Sequence, residues 1–246
     1  MRFQSHGGSC LSQALRAGLL IFAGCPFRTS SQAVPPNRNE TGMSAYLFDL
    51  SQVQLAGSSR WWENQERTLR YLKEVNVDRL LYNFRANHGL PTGDTAANGG
   101  WDAPDFPFRT HMQGHFLTAW AQCWAALREP ECRDRSIYFS EQLARCQENN
   151  GVIGFSAGYL SGFPESEFSA LEDRTLDNGN VPYYAIHKTL AGLLDVWRHV
   201  GDETAETVLL ALAGWVSDRT GNLSYDQMQG KLAHRDFSLW AVKVRS

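Results

Sequence analysis

His111 and His115 stand four residues apart, one turn of helix, at the head of a strongly apolar segment. That is the spacing of a two-histidine metal site. A zinc-protease helix would also need Glu directly after the first His, as general base, and Met112 stands there instead. The pair therefore reads either as imidazoles hydrogen-bonded at a helix entrance or as groups turned toward a polar ligand. Just upstream, Trp101, Asp102, Asp105 and Arg109 crowd a stretch punctuated by Gly99, Gly100, Pro104 and Pro107. Asp102 and Asp105 could act as a carboxylate pair, although Asp is favoured at helix entrances for capping alone. A second entrance follows at Val181-Pro182-Tyr183-Tyr184-Ala185-Ile186-His187, where His187 falls within an apolar register beside two phenols. Core histidine and ligand-facing histidine both fit that position. Phenol, indole and imidazole together suit a ligand rich in hydroxyls. Glu165, Glu167, Glu172 and Asp173 are weaker candidates, expected to be solvated loop charges.

The elements that would position these groups read as helical. Ser58-Ser59 can cap a helix over 61–87 that Gly89 and Pro91 stop. Further helices are expected over 108–127, 133–149, 183–200 and 204–217. The fourth of these five should bury Tyr183, His187, Leu190, Leu194 and Trp197 as one stripe. Only residues 48–55 alternate like a strand. Residues 151–181, rich in Gly and Pro, read as a long loop rimming a pocket. Helices without intervening strands exclude a parallel α/β sheet and point to an all-α toroid, with a compact bundle as the alternative.

The 246 residues are 43% hydrophobic and 20% charged, with a net charge of −3, which gives no electrostatic case for a nucleic-acid partner. No stretch reaches the roughly 20 apolar residues of a membrane span. Arg2 and Arg16 before the apolar run 17–25 resemble a secretory leader, and sequons at Asn39 and Asn222 fit secretion; a cytoplasmic location is the alternative. Residues 26–45 read as a linker. The five cysteines make no CxxC pair. Cys132–Cys146 or Cys123–Cys146 bridges are conceivable, as are buried free thiols. Neither a Ser/His/Asp order nor a phosphate-binding glycine loop is present.

The blocks NGGWDAPDFPFRTHMQGHFLTAWA and NVPYYAIHKTLAGLLDVW resemble glycoside hydrolase family 127, whose best-known members are β-L-arabinofuranosidases. The segments FDLSQVQLAGSSRWWENQERTLRYLKEVNVDRLLYNFRAN and GWVSDRTGNLSYDQMQ match the same pattern in the same order, so the likeness spans roughly 47–230. It implies an (α/α)6 barrel, of which five or six helices make about half, and a carbohydrate partner of arabinofuranoside type. It divides the chain into a leader and linker (1–45), a partial barrel (46–232) and an aberrant tail (233–246). In the family a zinc-bound cysteine thiolate is the nucleophile and a Glu the acid/base, a retaining two-step displacement. Those motifs are expected beyond Gln229. None of the five cysteines stands in a matching motif, so neither a catalytic residue nor a metal ligand is assigned, and zinc is expected only of a longer family enzyme. What carries over is a substrate-binding wall: His111, His115, His187, Trp101, Asp102 and Tyr184. A half-barrel would expose apolar faces, so poor solubility is expected. A non-catalytic sugar-binding fragment, or a toroid epimerase or uronide hydrolase using Asp102 or His187, are the competing readings.

Overall fold

A computed structural model of the chain describes residues 48–224 and Gln227; the segments expected as leader, linker and tail, with Cys10, Cys25 and Asn39, lie outside them. The described residues form helices and turns without a strand. The order is α1 (Arg60–Glu74), α2 (Val77–Asn87), α3 (His111–Leu127), α4 (Pro130–Glu148), the single turn α5 (Asn150–Ile153), α6 (Glu165–Glu172), α7 (Pro182–Val200) and α8 (Glu203–Gly221). Two antiparallel hairpins, α3–α4 and α7–α8, stand side by side, with α3 packed on α7 and α4 on α8. Residues near the N-termini of α3 and α7 meet, His111 with Tyr184 and Gly114 with Lys188, so these two helices run parallel. Parallel neighbours linked through an outer helix are the repeat of an α/α barrel, and the toroid expectation holds.

Four local expectations need correction. The strand expected over 48–55 is a 3-10 turn at Leu50–Gln52, closed by a capping box between Asp49 and Gln52. The helix expected over 61–87 breaks at Val75 and Asn76, both extended, because the Asn76 side chain accepts the Arg79 N–H and starts α2 afresh. Within the expected loop 151–181, α6 forms behind Pro164. On α7 the buried face is Tyr183, Ile186, Thr189, Leu193 and Val196, whereas Leu194 is 37% exposed and His187 only half-buried. Tyr183, Leu190 and Trp197 of the expected stripe do pack toward the core, but Leu194 and His187 do not, so the buried face is rotated from the expected one.

The cysteine pairing also differs. Cys123, late in α3, bridges Cys132 in α4 across a Cα–Cα distance of 6.1 Å, and Cys146 is a buried free thiol. Closing so short a loop contributes on the order of 2–3 kcal/mol. It pins the α3–α4 turn, where Arg128 takes a left-handed conformation.

Aromatic rings fill the interior. Trp120 lies against Phe116 and Phe139 and donates its indole N–H to Leu72 O at 3.1 Å. A second nest, Tyr159, Phe168 and Trp215, has centroids 5.0–5.7 Å apart. The loop glutamates are bound rather than solvated. Glu165 accepts from Ser156 N and Trp215 Nε1, both at 2.8 Å, and Glu172 accepts from Arg219 and from Tyr183 Oη. Glu167 accepts from Asn180 and pairs with Arg109 at 3.6 Å. These contacts fasten α6 and its flanks to α7 and α8, so the long segment is part of the scaffold.

Candidate functional site

The N-termini of α3 and α7 carry the candidate groups to one place. His111 and His115 project from adjacent turns of α3, ring centroids 6.3 Å apart. Tyr184, in the first turn of α7, lies 5.9 Å from His111, and the Lys188 ammonium sits 5.0 Å over the Tyr184 ring. Phe108 packs edge-on to both His111 and Tyr184. Trp101 lies 6.2 Å from His111 and stacks on Phe106, yet two-thirds of it is exposed. His187 completes the group, close enough to His115 and Lys188 for their charges to act on it.

Glycine makes this convergence possible. A Cβ on Gly114 would lie 1.9 Å from Lys188 O, and one on Gly192 would lie 2.6 Å from Gly114 O. With hydrogen there instead, the α3 and α7 backbones approach until their imidazoles share one surface.

Asp102 occupies a different station. It is buried, and Oδ1 accepts the Thr110 N–H at 2.9 Å while Oδ2 accepts from Asn98 Nδ2 and Gln113 Nε2, both at 2.8 Å. Asn83 donates to Asp102 O at 2.8 Å. Thr110 is held at φ 66°, an unusual conformation for a β-branched residue, directly before α3. Asp102 therefore sits beneath the site and fixes the turn that aims His111; Asp105, which could have paired with it, is exposed. The loop is also anchored by Arg109, which donates to Gly162 O at 2.9 Å and lies 3.8 Å over the Phe163 ring.

Hydrogen bonding and burial constrain the imidazoles. His111 Nδ1 meets Phe108 O at 2.5 Å, and a carbonyl can only accept, so Nδ1 carries a proton and Nε2 is the nitrogen left to face a ligand. His187 Nδ1 is buried with no partner among the described residues. Burial, then the Lys188 charge, then the neighbouring histidine hold both His115 and His187 below the usual histidine range. His88, fully buried elsewhere, is lowered mainly by burial; its Nδ1 bonds Asn150 Oδ1 at 2.8 Å while Nε2 accepts from Ser161 N. Three histidines whose folded pKa values lie below the unfolded value of about 6.5 give a definite sign. As pH falls through that value the unfolded chain takes up protons first. Stability is thus complete above about pH 7 and falls from there toward the lower folded pKa values. Urea midpoints are expected to drop between about pH 7 and 5, and His88→Gln to flatten that drop; a midpoint that rises on acidification contradicts these proton states.

The structure brings five of the six expected wall residues together, with Asp102 as their support. The sequence reading passed over Lys188 and Phe108. Lys188 follows His187 and stands four residues after Tyr184, a spacing that alone puts it over the phenol. Among the described residues no three His, Cys, Asp or Glu converge as a metal site. Cys146 is a poor thiolate source, since burial pushes its thiol up to about 12. No described helix is long and apolar enough to cross a membrane. Compared with known families, residues 52–238 match the one described as Beta-L-arabinofuranosidase, GH127 catalytic domain. A comparison with curated proteins gave no match.

Proposed function

The chain belongs to the glycoside hydrolase 127 β-L-arabinofuranosidase-like catalytic-domain family, and from that premise we propose that its described residues form the sugar-binding wall of an arabinofuranosidase-type glycoside hydrolase. The observation that carries this is the convergence of three imidazoles, a phenol and an exposed indole at the paired N-termini of α3 and α7. In this reading His111 Nε2 hydrogen-bonds a sugar hydroxyl, and His115 and His187, held neutral near pH 7, do the same. The Tyr184 hydroxyl donates or accepts, and the Trp101 face lies against the apolar side of the ring. Asp102 positions and does not touch the sugar.

Zinc in this family would supply an acidified thiol as nucleophile. The described cysteines do not fit that role: two are bridged, and Cys146 lies in the core. No bond-breaking step is therefore derived from them. The Cys123–Cys132 bridge supports placing the chain in an oxidising compartment, as a secreted protein.

The test is calorimetric titration of the chain with methyl β-L-arabinofuranoside, in parallel with hydrolysis of the p-nitrophenyl glycoside. Binding is expected, weakened about tenfold or more by His115→Ala and by His187→Ala, each loss corresponding to about 1.4 kcal/mol. Absence of binding to the arabinofuranoside, with binding of an unsaturated uronide, would overturn this reading in favour of the uronide class.

A further inference from the structure

Beside Trp101 a groove of about 530 Å³ opens between α1, α2, the 98–102 turn and α3. Tyr71, Arg79, Asn98, Trp101, Met112 and Phe116 line it. We infer that this groove is a second saccharide subsite, which holds the residue linked to the sugar in the histidine cluster and makes Tyr71 and Arg79 specificity-determining. The inference rests on the carbohydrate reading of the cluster.

Four observations carry it. The volume falls within the range of roughly 300–1,000 Å³ usual for small-ligand sites. Its aromatic lining is open: Tyr71 is 56% and Trp101 66% exposed, and Tyr71 lies 6.2 Å from Phe116, so aromatic surface is available to the apolar side of a sugar. Polar groups are interleaved with those rings. Among the described residues the exposed Arg79 guanidinium makes one hydrogen bond, to Ala97 O at 3.3 Å, and so has further donors. Asn98 is fixed through its Nδ2 bonds to Arg79 O and Asp102 Oδ2, which leaves its side-chain oxygen as an acceptor. Finally, the groove adjoins the cluster, because Trp101 and Met112 line it while Trp101 lies 6.2 Å from His111, the residue before Met112. The remaining Arg79 donors need acceptors, which the hydroxyls and ring oxygen of a sugar supply.

The experiment compares methyl β-L-arabinofuranoside with the methyl glycoside of an arabinofuranosyl disaccharide, titrated into the 246-residue chain and into Tyr71→Ala and Arg79→Ala. Thermal melts by circular dichroism check folding; both side chains are exposed, so each variant should melt like the parent. The disaccharide is expected to bind about tenfold more tightly than the monosaccharide. Each variant should remove most of that advantage and leave monosaccharide affinity within about twofold. Equal affinity for the two sugars, or an advantage that survives both substitutions, overturns the groove assignment alone. Failure of both sugars to bind overturns it together with the carbohydrate reading.

Discussion

Gly114→Ala is expected to lower the unfolding free energy by about 3 kcal/mol or more, the upper range for overpacking. The added methyl would stand 1.9 Å from Lys188 O and 2.2 Å from Lys188 C, both backbone atoms of α7. No rotamer change relieves such a contact, so the helices must separate by more than an ångström. Separation also breaks the neighbouring approach of Gly192 to Gly114 O and to Leu117. Because His111 and His115 ride on one helix and Tyr184 and His187 on the other, the same substitution should weaken sugar binding in whatever fraction remains folded. Gly214→Ala is the control. It lies inside α8 with nothing within 4 Å of its added methyl, so it should stabilise by up to about 1 kcal/mol through helix propensity. Urea midpoints of the two variants, measured together, decide the matter: a Gly114→Ala chain as stable as the parent would mean that α3 and α7 do not approach this closely.

That close approach shows why the sequence was legible in some places and opaque in others. Helices that bury a face against the core announce themselves by period, and Ser59 caps α1 as its type and position imply. His111 and His115 could be placed on one face from spacing alone. The partner face could not. Which side of α7 turns inward depends on Gly192 closing on Gly114 and Leu117 of α3, so counting apolar residues placed Tyr183, Leu190 and Trp197 toward the core but misplaced Leu194 and His187. The break before α2 turned on one hydrogen bond, accepted by the Asn76 side chain from the Arg79 N–H, which a continuous apolar register conceals. In the same way α6 was hidden among glycines and prolines, because Glu165, Glu167 and Glu172 earn their places through partners as far away in sequence as Arg219. The Cys123–Cys132 pairing was equally non-local in logic: it depends on how tightly α4 folds back after Arg128. Aggregated signals therefore gave the fold class, while register and support came from single contacts.

Asp102 offers the sharper discrimination, since its residue type alone invites a catalytic reading. Removing it as Asp102→Ala is expected to cost about 3 kcal/mol, because the buried donors on Thr110 and Gln113 and the half-buried Asn98 amide lose their acceptor at once. Thr110, held at φ 66°, would lose the contact that keeps the turn before α3 in place. Asp102→Asn is the informative variant. It retains shape and one acceptor oxygen, but it turns an amide N–H₂ toward groups that are already donors. Gln113 cannot simply flip to receive it, because Gln113 Nε2 also donates to Leu80 O at 2.9 Å. A positioning Asp102 therefore predicts that Asn destabilises nearly as much as Ala, and that sugar affinity falls in both variants because the turn that aims His111 is no longer held. A catalytic Asp102 predicts the reverse: an Asn variant with the parent's urea midpoint, unchanged sugar affinity and abolished turnover. Denaturation and titration of the three chains at pH 7 separate the two outcomes. The geometry favours the first, since both carboxylate oxygens are already committed to the protein and neither is left to meet a substrate.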